Sequence, residues 1–320
     1  MDKKTKIWLI IAACFLFVGC IIFGCVMTVL KWDFTKLSTT KYETNHYAIT
    51  EDIKAISINT DTADIVFVPS ENAENAVVCY EYENAKHTVT VEDATLIIDA
   101  KDTRKWYEYI GIHFRTPKIT VQIAAGAYGA LSASTDTGDI EIPKAFRFES
   151  IDIAESTGDV TSYASASDFI KIKANTGNIH IEGVSANAID LSVSTGKITA
   201  RDVSCEGALN TTVSTGRTEL TDIRCNSVIS GGSTGNITLN KVVAAEKISL
   251  ERSTGDVKFD SCDAGEIFVK TDTGDVTGSL LTDKAFIVRT DTGRVDVPKT
   301  LTGGRCEIST NTGDIKITTH

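Results

Sequence analysis

The chain has 320 residues, with 23 glycines, only 4 prolines and 7% aromatic residues, a composition that suits an elongated β structure with many turns better than a helical bundle. Its formal net charge is −11 at pH 7. So acidic a surface repels phosphate backbones, and we expect no nucleic acid among its partners.

The first predicted element is a membrane anchor at 7–30, an apolar run without a single charge. At about 1.5 Å per residue, a helix of this length crosses a bilayer core of about 30 Å. Lys3, Lys4 and Lys6 precede the run, so the positive-inside rule predicts a cytoplasmic tail at 1–6 and an extracytoplasmic location for all that follows. A cleaved signal peptide would have a shorter apolar core, and the run continues past the Gly-Cys pairs at Cys20 and Cys25, so one uncleaved helix is favoured over cleavage or lipidation.

Two regions separate the anchor from the repeats. Residues 31–47 are predicted to be a stalk, and 48–130 an irregular β region that caps the N-terminal end of the repeats. The segment 59–65 resembles a repeat in which Ala63 replaces the glycine, so the first rung is predicted here, followed by an antiparallel insertion. The aromatic cluster Trp106, Tyr107 and Tyr109 is a candidate interaction surface, although packing of the cap on the repeats is the favoured interpretation.

A Thr-Gly dipeptide then recurs at a spacing of 19 or 20 residues. The ten glycines are Gly138, Gly158, Gly177, Gly196, Gly216, Gly235, Gly255, Gly274, Gly293 and Gly313. Glycine supplies the positive φ of a tight turn, and an Asp, Ser or Asn two positions earlier can hydrogen-bond the turn backbone. We therefore predict that these glycines are structural turn residues aligned along one edge.

Three apolar columns accompany the glycines. An apolar residue stands seven positions before every glycine, and a β-branched apolar residue stands two positions after nine of them, with Thr218 as the exception. A weaker column seven positions after the glycine lapses at Ser165 and Thr300. A rung with three inward columns cannot bury its own apolar face, so rungs must stack.

The sequence thus predicts an all-β fold, a single-chain parallel β-helix (β-solenoid) of about ten rungs over 131–320, right-handed by analogy with parallel strand crossovers. Because the sequence stops soon after the last repeat, we expect an uncovered last rung whose edge is able to pair with another chain.

The sequence predicts neither a catalytic residue nor a cofactor. The five cysteines after the anchor form no CxxC pair, and no metal site is predicted, with Asp272, Asp275 and Asp291 as the only weak candidates. Cys205 and Cys225 both stand nine positions after a glycine, so they should be neighbours on adjacent rungs. Two stacked thiols are favoured there over a disulfide, because side-by-side parallel strands orient their Cβ atoms poorly.

The arrangement resembles a known family. A single N-terminal membrane helix, the segments 53–58 and 118–123, and repeated Ser-Thr-Gly-Asp-Val units are similar to the bacterial putative-adhesin domains of the LiaG-like type, which are envelope β-solenoids of Gram-positive bacteria. The resemblance covers about 50–320 and implies no catalytic residues. We expect a non-catalytic cell-surface protein, an adhesin or envelope-associated binding or sensing protein. Its partners would be the membrane and a protein or cell-wall glycan. The alternatives are a regulatory partner of a membrane signalling or envelope-stress system and, less favoured, a glycan-active β-helix enzyme.

Overall fold

The computed structural model describes residues 2–37, 41–71, 74–103 and 115–319. One α-helix, α1 (Lys3–Val29), and a short 3-10 helix, Phe34–Leu37, precede the strands. The strands are β1 Tyr42–Ile49, β2 Ala55–Thr62, β3 Asp64–Pro69, β4 Asn75–Tyr82, β5 Ala85–Glu92, β6 Thr95–Asp102, β7 Lys118–Ile123, β8 Gly126–Thr137, β9 Ile140–Ile142, β10 Phe146–Thr157, β11 Val160–Ser162, β12 Ser165–Thr176, β13 Ile179–Glu182, β14 Ser185–Ala186, β15 Ala188–Thr234, β16 Ile237–Thr254, β17 Val257–Thr273, β18 Val276–Leu280, β19 Lys284–Thr292, β20 Val295–Asp296, β21 Gly304–Thr312 and β22 Ile315–Thr319.

From Ile7 onward, helix α1 is apolar on every side. Within the described residues it is the one helix that is long and apolar enough to cross a membrane. Among its side chains only that of Met27 is buried, so the rest are free to face lipid or another helix. The helix ends where Lys31 and Trp32 adopt positive φ and the Trp32 amide donates to the Met27 carbonyl at 2.8 Å.

The repeats form the predicted parallel β-solenoid, of about ten turns. On one face, strand β10 lies between β8 and β12, with Ile151 opposite both Leu131 and Ile170. On the next face, β11 lies between β9 and β13. The column seven positions before the glycine is buried in every rung except at Phe286, which is partly buried. The predicted handedness stays a prediction.

A second corner of the rung explains in which repeats the residue seven positions after the turn glycine is apolar and buried. In five consecutive rungs the sixth residue after the turn glycine has positive φ, and the seventh is a buried apolar residue. The positive-φ residues are Gly183, Asp202, Asp222, Lys241 and Ser261, and the buried ones are Val184, Val203, Ile223, Val242 and Cys262. Without this left-handed residue the inward position moves, so Phe146 is buried in place of Ala145, and Leu280 in place of Leu281.

At the C-terminal end the rungs do not stack in sequence order. Strand β21 lies between β17 and β19, and β22 lies between β18 and β20. The expectation of an uncovered last rung is therefore wrong, because the last repeat in the sequence is inserted inside the stack. The rung of Gly293 is the end rung, and it leaves Ile287 54% and Val295 45% exposed.

The N-terminal end has a similar permutation and a cap. The first rung, β2 and β3, pairs with β8 and β9 on one side and with β6 and β7 on the other, as the repeat-like segment around Ala63 predicts. Antiparallel strands β4 and β5 then continue from β7 and β6, and β1 pairs with β4. The predicted stalk is thus too long, because β1 begins at Tyr42, whose ring stacks on that of Tyr80 with centroids 5.2 Å apart.

Candidate functional site

The turn edge is built from backbone in close contact. All ten turn glycines have positive φ. At Gly177, for example, φ is +143°, and a Cβ would overlap the carbonyl oxygen of Gly158 on the neighbouring rung. Only glycine combines this conformation with such a close approach, so the Thr-Gly motif specifies the turn.

The residue after each glycine forms a ladder along the same edge. The Asp64 carboxylate accepts a hydrogen bond from the Asp139 amide at 3.0 Å, and the Asp139 carboxylate accepts one from the Asp159 amide at 2.8 Å. The same link recurs along the stack as far as Arg294, whose amide donates to the carboxylate of Asp314, with a break at Lys197 and Arg217, whose side chains cannot accept a hydrogen bond. These acids therefore satisfy backbone amides of the next rung, which is a structural task.

The weak metal candidates do not form a site. The inserted last repeat places Asn311 beside Asp272, to which it donates a hydrogen bond at 3.4 Å. Asp275 accepts from the Asp314 amide, and Asp291 accepts from the Arg289 side chain. The inserted rung separates Asp291 from Asp272 and Asp275, so the three carboxylates do not meet and their prediction as a ligand group is wrong. Trp106, Tyr107 and Tyr109 lie outside the described residues.

One concave feature of the described residues is an open groove of about 700 Å³, which we call the corner groove. The groove lies along one corner of the solenoid. It extends from β12 over the adjacent rung of β14 to the next two rungs, which belong to β15. Its floor is a column of small residues, and polar side chains at the rung spacing line it. The floor residues are Ala166, Ala186, Cys205 and Cys225, and the polar residues include Asn187, Glu206, Arg224 and Asn226.

Two thiols stack on the floor of the corner groove. Cys205 and Cys225 are free and buried on neighbouring rungs, as the sequence suggested, and the Cys225 thiol donates to the Ser227 carbonyl at 3.3 Å. The neighbouring Cys225 thiol lowers the pKa of Cys205, whereas the neighbouring Cys205 thiol and burial raise the pKa of Cys225. Cys205 is therefore the more acidic thiol of the pair and faces the groove.

Two buried charges interrupt the inward column three positions before the glycine. Glu155 is 4% exposed, and both of its carboxylate oxygens lack a hydrogen-bond partner. Burial first, and then the negative charges of Asp139 and Asp159, raise the pKa of Glu155 to about 8. A carboxyl group with this pKa is largely protonated at neutral pH.

The second buried charge, Arg252, reaches past Gly232 of the neighbouring rung to the rung beyond it. Its Nη1 donates to the Val213 carbonyl at 2.6 Å, and its Nη2 donates to the hydroxyl of Thr218 at 2.9 Å. Gly232 makes room for the guanidinium, because a Cβ there would overlap Nη1. Burial lowers the pKa of Arg252. The polar exception at Thr218 in the sequence pattern is thus explained by the side chain that it binds.

A hydrogen-bonded chain in the N-terminal cap has the connectivity of a catalytic triad. His87 Nε2 lies 2.7 Å from Thr60 Oγ1, and His87 Nδ1 lies 2.7 Å from Glu81 Oε2. However, Thr60 is 4% exposed, and the adjoining cavity of about 20 Å³ holds no more than one water molecule. A substrate carbonyl does not reach this hydroxyl, so the chain is better explained as a buried hydrogen-bond network.

One further group of side chains lies outside the repeat and was not predicted from the sequence. Cys79, Glu81 and His87 bring one potential metal-ligand atom each to within 4.8 Å of one another. They come from the antiparallel insertion, outside the repeat, so the repeat pattern gave no signal. The alternation of Cys79 and Glu81 along one predicted strand, with His87 after a turn, was the available indication.

One of the similar solved structures shares the fold with a TM-score above 0.5, and others align with lower scores. One described as a putative adhesin from Parabacteroides merdae ATCC 43184 aligns with a TM-score of 0.51 and 13% identity, over 76% of this chain and 98% of that one. Another putative adhesin, from Bacteroides fragilis NCTC 9343, is 16% identical with a TM-score of 0.40, over 87% and 97% of the two chains. A structure described as a putative lipid binding protein, from Parabacteroides distasonis ATCC 8503, is 14% identical with a TM-score of 0.47, over 88% and 98%.

No curated protein sequence matches the chain at a significant level. The model of one family, described as Toastrack DUF4097, matches residues 53–222 and 211–320. Since these two matches span nearly all of the chain beyond the apolar helix and the first strand, the protein belongs to the Toastrack DUF4097 family.

Proposed function

We propose that this protein is a non-catalytic cell-surface binding protein, anchored by α1 and carrying its solenoid outside the membrane as a rigid rod. The corner groove is its binding surface, and an extended polymer such as cell-wall glycan is its ligand. The observation that supports this proposal most directly is the groove itself, in which similar side chains recur from rung to rung.

The chemistry of the corner groove fits an extended polar chain. Stacked parallel strands lie about 4.8 Å apart, so Asn187 and Asn226, two rungs apart, place amide groups about 10 Å apart along the groove. Ser185 and Ser204, opposite each other in adjacent strands, add hydroxyls. Such groups donate and accept hydrogen bonds at regular intervals, which suits a polymer built of repeating units.

The groove does not support hydrolysis of a bound glycan. Glycoside hydrolysis uses two carboxyl groups that flank the scissile bond. Glu206 is the one acid among the residues that line the groove. This favours binding over glycan-active catalysis.

The test is cosedimentation of the full-length chain, in detergent micelles, with insoluble Gram-positive cell walls. Ser185→Trp fills the groove and is expected to reduce the bound fraction at least tenfold. Ser132→Trp adds the same side chain at an exposed position of β8, away from the groove, and should bind like the wild type. Equal binding by both variants would show that the groove is not the binding surface.

The alternative, a regulatory partner of a membrane signalling system, rests on the exposed side chains of α1. Substitutions in the helix that keep its hydrophobicity separate the two functions in cells. If only helix substitutions abolish the phenotype and Ser185→Trp does not, the solenoid is not the contact surface and the regulatory function is preferred.

A further inference from the structure

A thiol, a carboxylate and an imidazole meet inside the hairpin of β4 and β5. Cys79 and Glu81 alternate along β4 and so point to the same face, and His87 approaches from β5. All three side chains are buried. In the described ranges this is the one group of three such residues whose ligand atoms lie within 4.8 Å of one another.

We infer that Cys79, Glu81 and His87 bind a divalent metal ion of the zinc class. Sulfur, nitrogen and carboxylate oxygen are the donor atoms that zinc uses in proteins. A thiolate and a carboxylate together balance the charge of a divalent ion, so the loaded site is neutral. Neutrality matters because an unbalanced charge is costly at a fully buried position.

The surrounding hydrogen bonds hold two of the ligands as an outer shell would. The Asn45 side-chain amide donates to Glu81 Oε1 at 2.7 Å, which leaves Oε2 directed at His87. On the far side of the ring, His87 Nε2 lies 2.7 Å from the hydroxyl of Thr60. Metal-bound histidines usually donate their second ring N–H to such a partner.

Binding requires a small movement and the loss of one proton. Ligands about 2.0–2.1 Å from a tetrahedral ion lie about 3.3 Å apart, so the 2.7 Å contact between Glu81 Oε2 and His87 Nδ1 must widen by roughly half an ångström. When Nδ1 binds the ion, the ring proton lies on Nε2 and is donated to the Thr60 hydroxyl. The Cys79 thiol, which has no hydrogen bond among the described residues, releases its proton to solvent when its sulfur binds the ion.

The first test is titration of the full-length chain in detergent with cobalt(II), a spectroscopic probe for zinc sites. One equivalent should bind, with a near-ultraviolet sulfur-to-cobalt charge-transfer band that is lost in Cys79→Ser. The control Cys306→Ser removes another buried thiol and should keep the band. Absence of the band in the wild type, its persistence in Cys79→Ser, or its loss only in Cys205→Ser overturns the inference.

A second measurement does not depend on any variant folding. The zinc X-ray absorption spectrum of the wild-type chain loaded with one equivalent should show a single sulfur neighbour together with nitrogen and oxygen neighbours. No sulfur neighbour, or two or more, contradicts the assigned ligands. The inference is independent of the proposed glycan binding, since the corner groove contains none of these residues.

Discussion

Glu155 makes the stability of the solenoid depend on pH in a direction unusual for a carboxyl group. Its pKa rises from an ordinary value of 4.5 to about 8 in the folded chain, chiefly because burial disfavours the charged form. A group whose pKa is raised by folding binds a proton more tightly in the folded state. Its contribution to stability is therefore complete at low pH and is lost as the pH rises from about 4.5 towards 8.

The magnitude follows from the linkage between proton binding and folding. Each pKa unit corresponds to about 1.4 kcal/mol, so complete loss of the Glu155 contribution lowers the free energy of unfolding by about 5 kcal/mol at most. Glu155→Gln replaces the carboxyl with a neutral amide of nearly the same shape and removes this dependence. We expect the free energy of unfolding of the variant to exceed that of the wild type by under about 1 kcal/mol at pH 5 and by about 4 kcal/mol at pH 8.

The assay is thermal unfolding of the full-length chain in detergent, followed by circular dichroism from pH 5 to pH 9. At pH 8 the midpoint of Glu155→Gln should lie roughly 10 °C above that of the wild type, and the gap should close towards pH 5. Glu149→Gln, an exposed position on the same strand, is the matched control and should follow the wild type. Parallel pH profiles for wild type and Glu155→Gln would refute the reasoning.

The other predictions concern close backbone contacts, the buried guanidinium and the groove thiols. Gly177→Ala should destabilise the chain by about 2 kcal/mol or more because of its positive φ and the neighbouring carbonyl, whereas Gly126→Ala, where a Cβ meets nothing, should leave the unfolding midpoint unchanged. Arg252→Leu leaves the Thr218 hydroxyl without its donor, so adding Thr218→Val should recover about 1 kcal/mol of the free energy of unfolding. Equal stability of the single and double variants in the same unfolding assay would contradict the assigned hydrogen bond. Among the buried cysteines, Cys205 should be alkylated first by iodoacetamide, as mass spectrometry of the peptides can show, and faster labelling of any other buried cysteine would argue against its lowered pKa.

The repeat predicted the inner structure of the solenoid because one physical rule applies in every rung. A glycine with positive φ sets the turn, and the residues around Ile151 and Ile170 face inward because side chains alternate along a strand. The second corner was not predicted, since residues such as Asp202 and Lys241 carry only a weak preference for the left-handed conformation.

The buried polar groups could be predicted only in part. Thr218 and Gly232 both depart from the residue types of the repeat. Aligning the repeats shows that both departures lie within two rungs of Arg252, whose side chain they accommodate. The group of Cys79, Glu81 and His87 lies in a non-repeating hairpin, where register depends on tertiary pairing. The candidate site in the cap therefore required the structure.

The permuted rung order at the C-terminal end has a consequence for fraying. A repeat period of 19 or 20 residues is the same whichever neighbour a rung pairs with, so sequence alone could not reveal the order. The outer rung, β19 and β20, is joined at both ends to chain that lies deeper in the stack, in β18 and β21. When such a rung detaches, it becomes a closed loop and not a free tail, and it gains less conformational entropy. The exchange of the last two rungs thus resists unravelling at this end, where no antiparallel strand among the described residues pairs with the outer rung.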